Sequence, residues 1–378
     1  MGWNILADCL AKQENTEPQY IDWSHRCPLI LNRLKAEDAD FICLQEVDHY
    51  GDVLEPFLNK LGYLGVNCRR KVDDVAIFWK RNKFLLVKKE DKKLAGEYGV
   101  SKNYVQCAIF AHFQSIEHPE NEFVLVVTHL KAGIGYYPVR ISQAAMMMDH
   151  LKIFTEENPN IPAVLVGDFN DFPSGDVYKF LLNGNVSTKF SGSRRSSTFS
   201  CFLQYLLSKK FWEMSLLTFL MGLILYMFFT FSTTSIVISF TPLLLYVYGR
   251  MMKMCYYYKK KQFKHSFQLR SAYSHYKDLK TNQNSLKGNY FLLNAFIPPQ
   301  QLVDGPYTCY IKKLCFHWKV TIDYIWYTSN HLQVTHLMKM PEENELVDYL
   351  PSKHYPSDHL PIRAQFKFLP QDTQQQIK

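Results

Sequence analysis

Six times along this chain a polar or acidic cluster stands at the end of a short apolar run or just beyond one, and that repetition constrains the fold more than any other feature. The clusters are Trp3-Asn4-Ile5-Leu6, Leu44-Gln45-Glu46-Val47-Asp48, Thr128-His129-Leu130-Lys131, Gly167-Asp168-Phe169-Asn170, Thr321-Ile322-Asp323-Tyr324 and Ser357-Asp358-His359-Leu360. Phe41 to Leu44, Val75 to Trp79, Phe123 to Val127, Ala163 to Val166, Asp323 to Tyr327 and Leu360 to Phe368 have the length and the β-branched and aromatic content of strands. Helical spacing lies between them. Asp22 or Ser24 can cap a helix carrying Leu29, Ile30, Leu31 and Leu34, and Val139 to Phe154 spaces its apolar residues similarly. The mixture predicts a layered α/β or α+β enzyme with strands buried on both faces. Strand C-termini converge at one edge of a sheet, so the polar clusters are expected to gather there.

Two blocks have globular composition, residues 1–185 and 267–368, followed by a polar tail over 369–378. The segment between them, 186–266, differs: residues 214–249 contain no Asp, Glu, Lys or Arg. One membrane span needs about 20 apolar residues, and this stretch exceeds that but is short for two full spans and a turn. Lys209 and Lys210 precede it, and Arg250, Lys253 and Lys259 to Lys261 follow. Basic flanks at both ends suit a short hairpin whose ends face the cytoplasm. The competing reading is retained non-coding sequence, since so long an interruption of a compact domain is unusual. The opening residues show neither a secretory signal nor a mitochondrial leader. Nine scattered cysteines without a CxxC pair suggest neither a disulfide frame nor a zinc site. A reducing, cytoplasmic setting is therefore expected, with membrane attachment if 214–249 inserts. The net charge of +8 excludes little and fits an anionic substrate or a membrane surface.

Each cluster also has a chemical reading. Glu46 follows an apolar strand, where its carboxylate can offer hard oxygen to Mg²⁺; its bland alternative is a loop acid. Asp168 and Asn170, two residues apart on a segment read as extended, would share a face, one taking a proton from water and the other holding that water. Alone, that tetrapeptide is an ordinary turn. His359, steadied by Asp323, could donate to phosphoryl oxygens as charge grows, although a single histidine there is usually a surface residue. His129 and Lys131, at the end of the strand from Phe123 to Val127, could likewise be structural, but a lysine beside a phosphate pocket is a natural anion ligand. The ordered set of six carries the inference.

In this order the clusters resemble the endonuclease/exonuclease/phosphatase superfamily. Gln45 to Tyr50 and Tyr355 to Leu360 resemble its deadenylase branch in particular. Further matches are Leu61 to Tyr63, Val127 to Ala132, Val177 to Lys179, Thr321 to Tyr327 and Leu350 to Ser352. The resemblance implies an α+β two-sheet αββα sandwich, interrupted here by the hydrophobic insertion, with Mg²⁺ as cofactor. It implies Glu46, Asn4 and Asp358 at the metal, Asp168, Asn170, His359 and Asp323 in catalysis, and His129, Lys131, Arg70 and Lys313 on the substrate. The substrate it implies is the 2′-phosphate of NADP(H) or, alternatively, the 3′ end of poly(A) RNA. A membrane-bound phospholipid phosphodiesterase and an inactive scaffold fit the branch signatures and the intact polar set less well. Two departures stand out: Gly133 replaces an arginine, whose planar fork grips phosphate, and the loop near Val72 is shorter than in the family.

Overall fold

The computed structural model describes all residues except 12–16, 71, 96, 99–102, 134–135, 188–261, 275, 277–285, 288–289, 293–305, 314–315, 343–344, 347–349 and 371–378. The uncharged stretch 214–249 therefore lies outside the described residues. Among the described residues no helix is long and apolar enough to cross a membrane.

The strands are β1 (Gly2–Asn4), β2 (Phe41–Val47), β3 (Tyr63–Arg69), β4 (Asp74–Lys80), β5 (Phe84–Lys93), β6 (Cys107–Ser115), β7 (Glu122–His129), β8 (Ala163–Asp168) and β9 (Asn185–Ser187). They continue with β10 (Gln262–Lys264), β11 (Leu269–Ser271), β12 (Leu286–Lys287), β13 (Tyr290–Leu292), β14 (Cys309–Lys313), β15 (Phe316–Val320), β16 (Asp323–Thr328), β17 (Leu332–Met338) and β18 (Ala364–Phe368). The helices are α1 (Pro18–Ile21), α2 (Trp23–Glu37), α3 (Glu55–Lys60), α4 (Tyr137–Phe154) and α5 (Asp176–Asn183).

One sheet has the order β1-β2-β4-β3 and a larger one β11-β16-β8-β7-β6-β5, while β17 and β18 extend a third with β12 and β13. A shared apolar core joins them. Cys43, Ile77 and Trp79 of the first sheet pack with Ile109, Phe113, Val127, Val166 and Ile325 of the second and with Val334 and Leu337 of β17. Helices cover the outer faces. Ile30 and Leu34 of α2 join Ile42, Leu44 and Phe78, and Arg26 falls on the same helical stripe, four residues before Ile30. On the larger sheet His150 and Phe154 of α4 pack on Phe110, with ring centroids 4.7 and 5.9 Å apart. Tyr178 of α5 lies 4.8 Å from the Trp326 ring. This is the helix, sheet, sheet, helix layering expected.

The chain forms two units, one of Met1–Lys131, Val139–Val186 and Phe263–Lys378, the other of Ala132–Pro138 and Ser187–Gln262. In the second, Gly133 has φ +104°, where a Cβ is strained. An arginine at that position would sit poorly on this backbone.

Some elements differ from the sequence reading. Leu360 to Phe368 is not one strand: Leu360 makes a single bond to Thr308, Ile362 exchanges a pair of bonds with Gly2, and the regular strand begins at Ala364. Pro361 lacks the donor that a continuous ladder would use. Asp22 occupies the cap position of α2 without a side-chain cap bond. Among the described residues the charged strand β5 ends the larger sheet, an edge position where charge is suitable.

Candidate active site

Strand register assembles the first part of the site. In the larger sheet His129 stands opposite Asp168 across the parallel pair β7 and β8. Asp168 stands opposite Asp323 across the antiparallel pair β8 and β16. Opposed residues share a face, so a histidine and two carboxylates form one row. Gly167 permits it: a Cβ there would overlap the Thr128 carbonyl oxygen of the neighbouring strand. The row is buried, and its His129 Nε2 lies 3.5 Å from Asp168 Oδ2.

Asn170 is not on an extended segment with Asp168. β8 ends at Asp168, and Asn170 takes φ +52°, a left-handed conformation that asparagine tolerates better than most residues. Its backbone N–H donates to Asp168 Oδ1 at 2.8 Å and its amide to the Leu130 carbonyl at 3.1 Å. The turn itself therefore fixes the Asp168 carboxylate.

The smaller sheet contributes from the facing side. β2 slips register against β4 between Leu44 and Val47, and Glu46 in that bulge has φ +56°. Bulges re-aim side chains next to active sites, and a left-handed glutamate carries backbone strain. Asn4, at the end of β1, donates its amide to Glu46 Oε1 at 3.0 Å and to Asp168 Oδ2 at 3.1 Å. Its own oxygen accepts from Leu6 N–H at 3.0 Å. Asn4 thus presents its donor end to two carboxylates.

His359 closes the site. Its Nδ1 lies 2.8 Å from Asp323 Oδ2 and its Nε2 3.7 Å from Asp168 Oδ2. Ser357 Oγ donates to the Asn4 carbonyl at 2.7 Å and accepts His359 N–H at 3.1 Å, while the Trp3 indole donates to the His359 carbonyl at 2.8 Å. Although burial opposes it, Asp323 and then Asp358 hold the His359 pKa well above the usual histidine value. Burial, then Asp323, pushes Asp168 up to about 7. Burial and then the Asp358 charge raise Glu46. His129 is driven well below its ordinary value by burial, then by Arg70, and stays neutral beside Asp168.

The basic residues divide. Lys131 is lowered by burial and by the nearby Arg70 and Arg140, a convergence of cations that favours an anion. Arg70 is gripped by Asp73, with Nε to Oδ1 at 3.0 Å, and by Gln106. Lys313 ends β14 opposite Phe316; its side chain lies outside the described residues. The short segment at Val72 places its carbonyl 3.6 Å from the Cys9 thiol, and Val72 is exposed.

Several positioning residues escaped the sequence reading. Fully buried Arg26 donates to the carbonyls of Ile5 (3.1 Å), Leu6 (2.8 Å) and Pro356 (3.3 Å). It thereby joins the exit of β1 to the turn before His359. Thr308 Oγ1 accepts from Ile322 and Asp323 N–H at 3.1 and 3.2 Å. The only available signal for Arg26 was a cation on the apolar stripe of α2.

A family model described as Endonuclease/Exonuclease/phosphatase matches residues 1–359. Nocturnin of Mus musculus is 25% identical over 97% of this chain and 65% of its own length, so this chain spans just under two thirds of that relative. The human Nocturnin catalytic domain with bound sulfate, 24% identical, superposes with a TM-score of 0.58 over 97% of this chain and 93% of its own. ANGEL2, a 2′,3′-cyclic phosphatase, is 24% identical and reaches 0.64 over 97% and 93%.

Proposed function

The chain belongs to the endonuclease/exonuclease/phosphatase family, and from that premise we propose that it is a divalent-cation-dependent phosphoester hydrolase. One observation carries the reading: Asn4 bonds both Glu46 and Asp168 while His359 approaches the same Asp168 oxygen. Groups from both ends of the sequence thus meet in one cluster. Glu46 and Asp358 suit a hard cation, since both offer carboxylate oxygen and their mutual repulsion is relieved by positive charge. We assign that cation as Mg²⁺; bound there, it would offset charge on the phosphoryl group.

The remaining steps belong to the protein. Asp168, titrating near neutrality, takes the proton of the attacking water. The Asn170 turn and Asn4 keep its two oxygens in place. His359, kept protonated by Asp323, donates to a nonbridging phosphoryl oxygen as charge builds. Lys131, with Arg70, Lys313 and the neutral His129, binds the substrate's phosphates.

For the substrate we propose the 2′-phosphate of NADP(H). A compact cation set suits a small phosphorylated ligand, whereas an RNA site needs basic and aromatic residues along several nucleotides. The run of that kind, Tyr256 to Lys261, lies outside the described residues. Removal of adenylates from RNA would use the same catalytic groups. Purified protein with Mg²⁺, offered NADPH, NADP⁺ and short poly(A), distinguishes them. Phosphate release from the dinucleotides is expected; shortening of poly(A) alone would assign the other substrate, and turnover of neither would sink the hydrolase reading.

A further inference from the structure

Cys309 has no place in the hydrolysis described above, yet it clusters with Asp358 and His359, which do. Cys309, the first residue of β14, forms an isolated antiparallel bridge with His359, so the two side chains share a face. The Cys309 sulfur, an Asp358 carboxylate oxygen and a His359 ring nitrogen all lie within 4.8 Å of one another. Backbone bonds hold the arrangement on both sides, Tyr310 N–H to the Asp358 carbonyl at 2.9 Å and Leu360 N–H to the Thr308 carbonyl at 2.7 Å. Asp323 grips the imidazole through Nδ1, the carboxylate–histidine pairing that orients a ring toward a metal. Cys309 is fully buried and Asp358 partly open, which puts entry on the Asp358 side.

We propose that Cys309, Asp358 and His359 form a cation site selective for soft ions such as Zn²⁺ or Cd²⁺, and that its occupation switches the hydrolase off. The selectivity follows from the donors. A hard ion such as Mg²⁺ takes oxygen and leaves the thiol protonated, whereas thiolate and imidazole together favour Zn²⁺ and Cd²⁺. Thiol and protonated imidazole both reach the metal by displacement: the sulfur–hydrogen bond and one ring nitrogen–hydrogen bond of His359 break, sulfur–metal and nitrogen–metal bonds form, and both protons leave to solvent. With Asp358 and His359 engaged, His359 no longer donates to a phosphoryl oxygen. The switch rests on the hydrolase reading; the ion site does not.

The test is a Cd²⁺ titration of the reduced full chain, read by ultraviolet thiolate-to-cadmium charge transfer, for wild type, Cys309→Ser and Cys309→Ala. Zn²⁺ inhibition of Mg²⁺-dependent turnover is measured in parallel. Wild type should show an absorption step that both variants lack, and each variant should need at least about tenfold more Zn²⁺ for half inhibition while retaining turnover. Equal absorption in all three proteins overturns the site. An absorption step confined to wild type, with no Zn²⁺ inhibition, overturns the switch alone.

Discussion

At the scale of single residues the site depends on carboxylates placed where water would not leave them. Glu46 sits in a bulge at φ +56° with Asp358 nearby, and both its oxygens accept, one from Asn4 and one from Ala7 N–H at 3.2 Å. Glu46→Ala is expected to abolish cation-dependent hydrolysis while leaving the circular dichroism spectrum unchanged; measurable Mg²⁺-dependent turnover in that variant removes Glu46 from the cation site. Asp168→Asn keeps the shape and loses the base, so the rate should fall by about two to four orders of magnitude. An unchanged rate would give proton removal to another group. These residue types were legible because each closes or follows an apolar run. Their tasks were less so: that Asn4 joins Glu46 to Asp168 depends on where its amide hydrogens fall, which spacing does not contain.

At the scale of elements, the site is positioned by a helix, a bulge and a glycine. Arg26 on α2 reaches four carbonyls, belonging to Ile21, Ile5, Leu6 and Pro356, and Leu6 itself has φ +58°. Charge-assisted bonds to buried carbonyls are among the stronger ones, and each acceptor left bare costs about 1–3 kcal/mol. Arg26→Met should lower kcat/KM about a hundredfold through misplacement and raise the Mg²⁺ concentration needed for half activity. Arg26→Lys, with a single reach, should recover part of both; a melting point that falls while the Mg²⁺ requirement stays fixed would make Arg26 merely structural. Gly167→Ala sets a Cβ against the Thr128 carbonyl and should cost about 2–4 kcal/mol by denaturant unfolding. The apolar runs disclosed their strands because burial on both faces requires such residues. The β2 bulge and the left-handed turn at Asn170 stayed hidden, since they are backbone choices enforced by neighbouring strands.

At the scale of the whole molecule, a cation bound between Glu46 and Asp358 should tie β2 to the turn before His359. Ligand bound only by the folded state stabilises it in proportion to RT ln(1 + [L]/Kd), about 2.7 kcal/mol at a hundredfold excess over Kd. Millimolar Mg²⁺ is therefore expected to raise the melting temperature of wild type but not of Glu46→Gln, and an equal shift in both would locate the cation elsewhere. The chain leaves the first unit after Val186 and rejoins it at Phe263, and β9 pairs with β10 at that point. We propose that 214–249 attaches the protein to a membrane; recovery wholly in the soluble fraction, with that peptide identified by mass spectrometry, would contradict it.

From the sequence alone came the chemistry and its order: carboxylates, amides and an imidazole at the ends of apolar runs, on a chain apolar enough to stack two sheets between helices. Those properties are local, since side-chain type and hydrophobic period are written residue by residue. Only the tertiary structure decided which of them meet. The register that opposes His129, Asp168 and Asp323, the Arg26 clamp from Ile5 to Pro356 and the Cys309 thiol beside His359 each join residues far apart in the chain. Such contacts arise from how sheets pair and pack, and spacing along the chain carries no record of them.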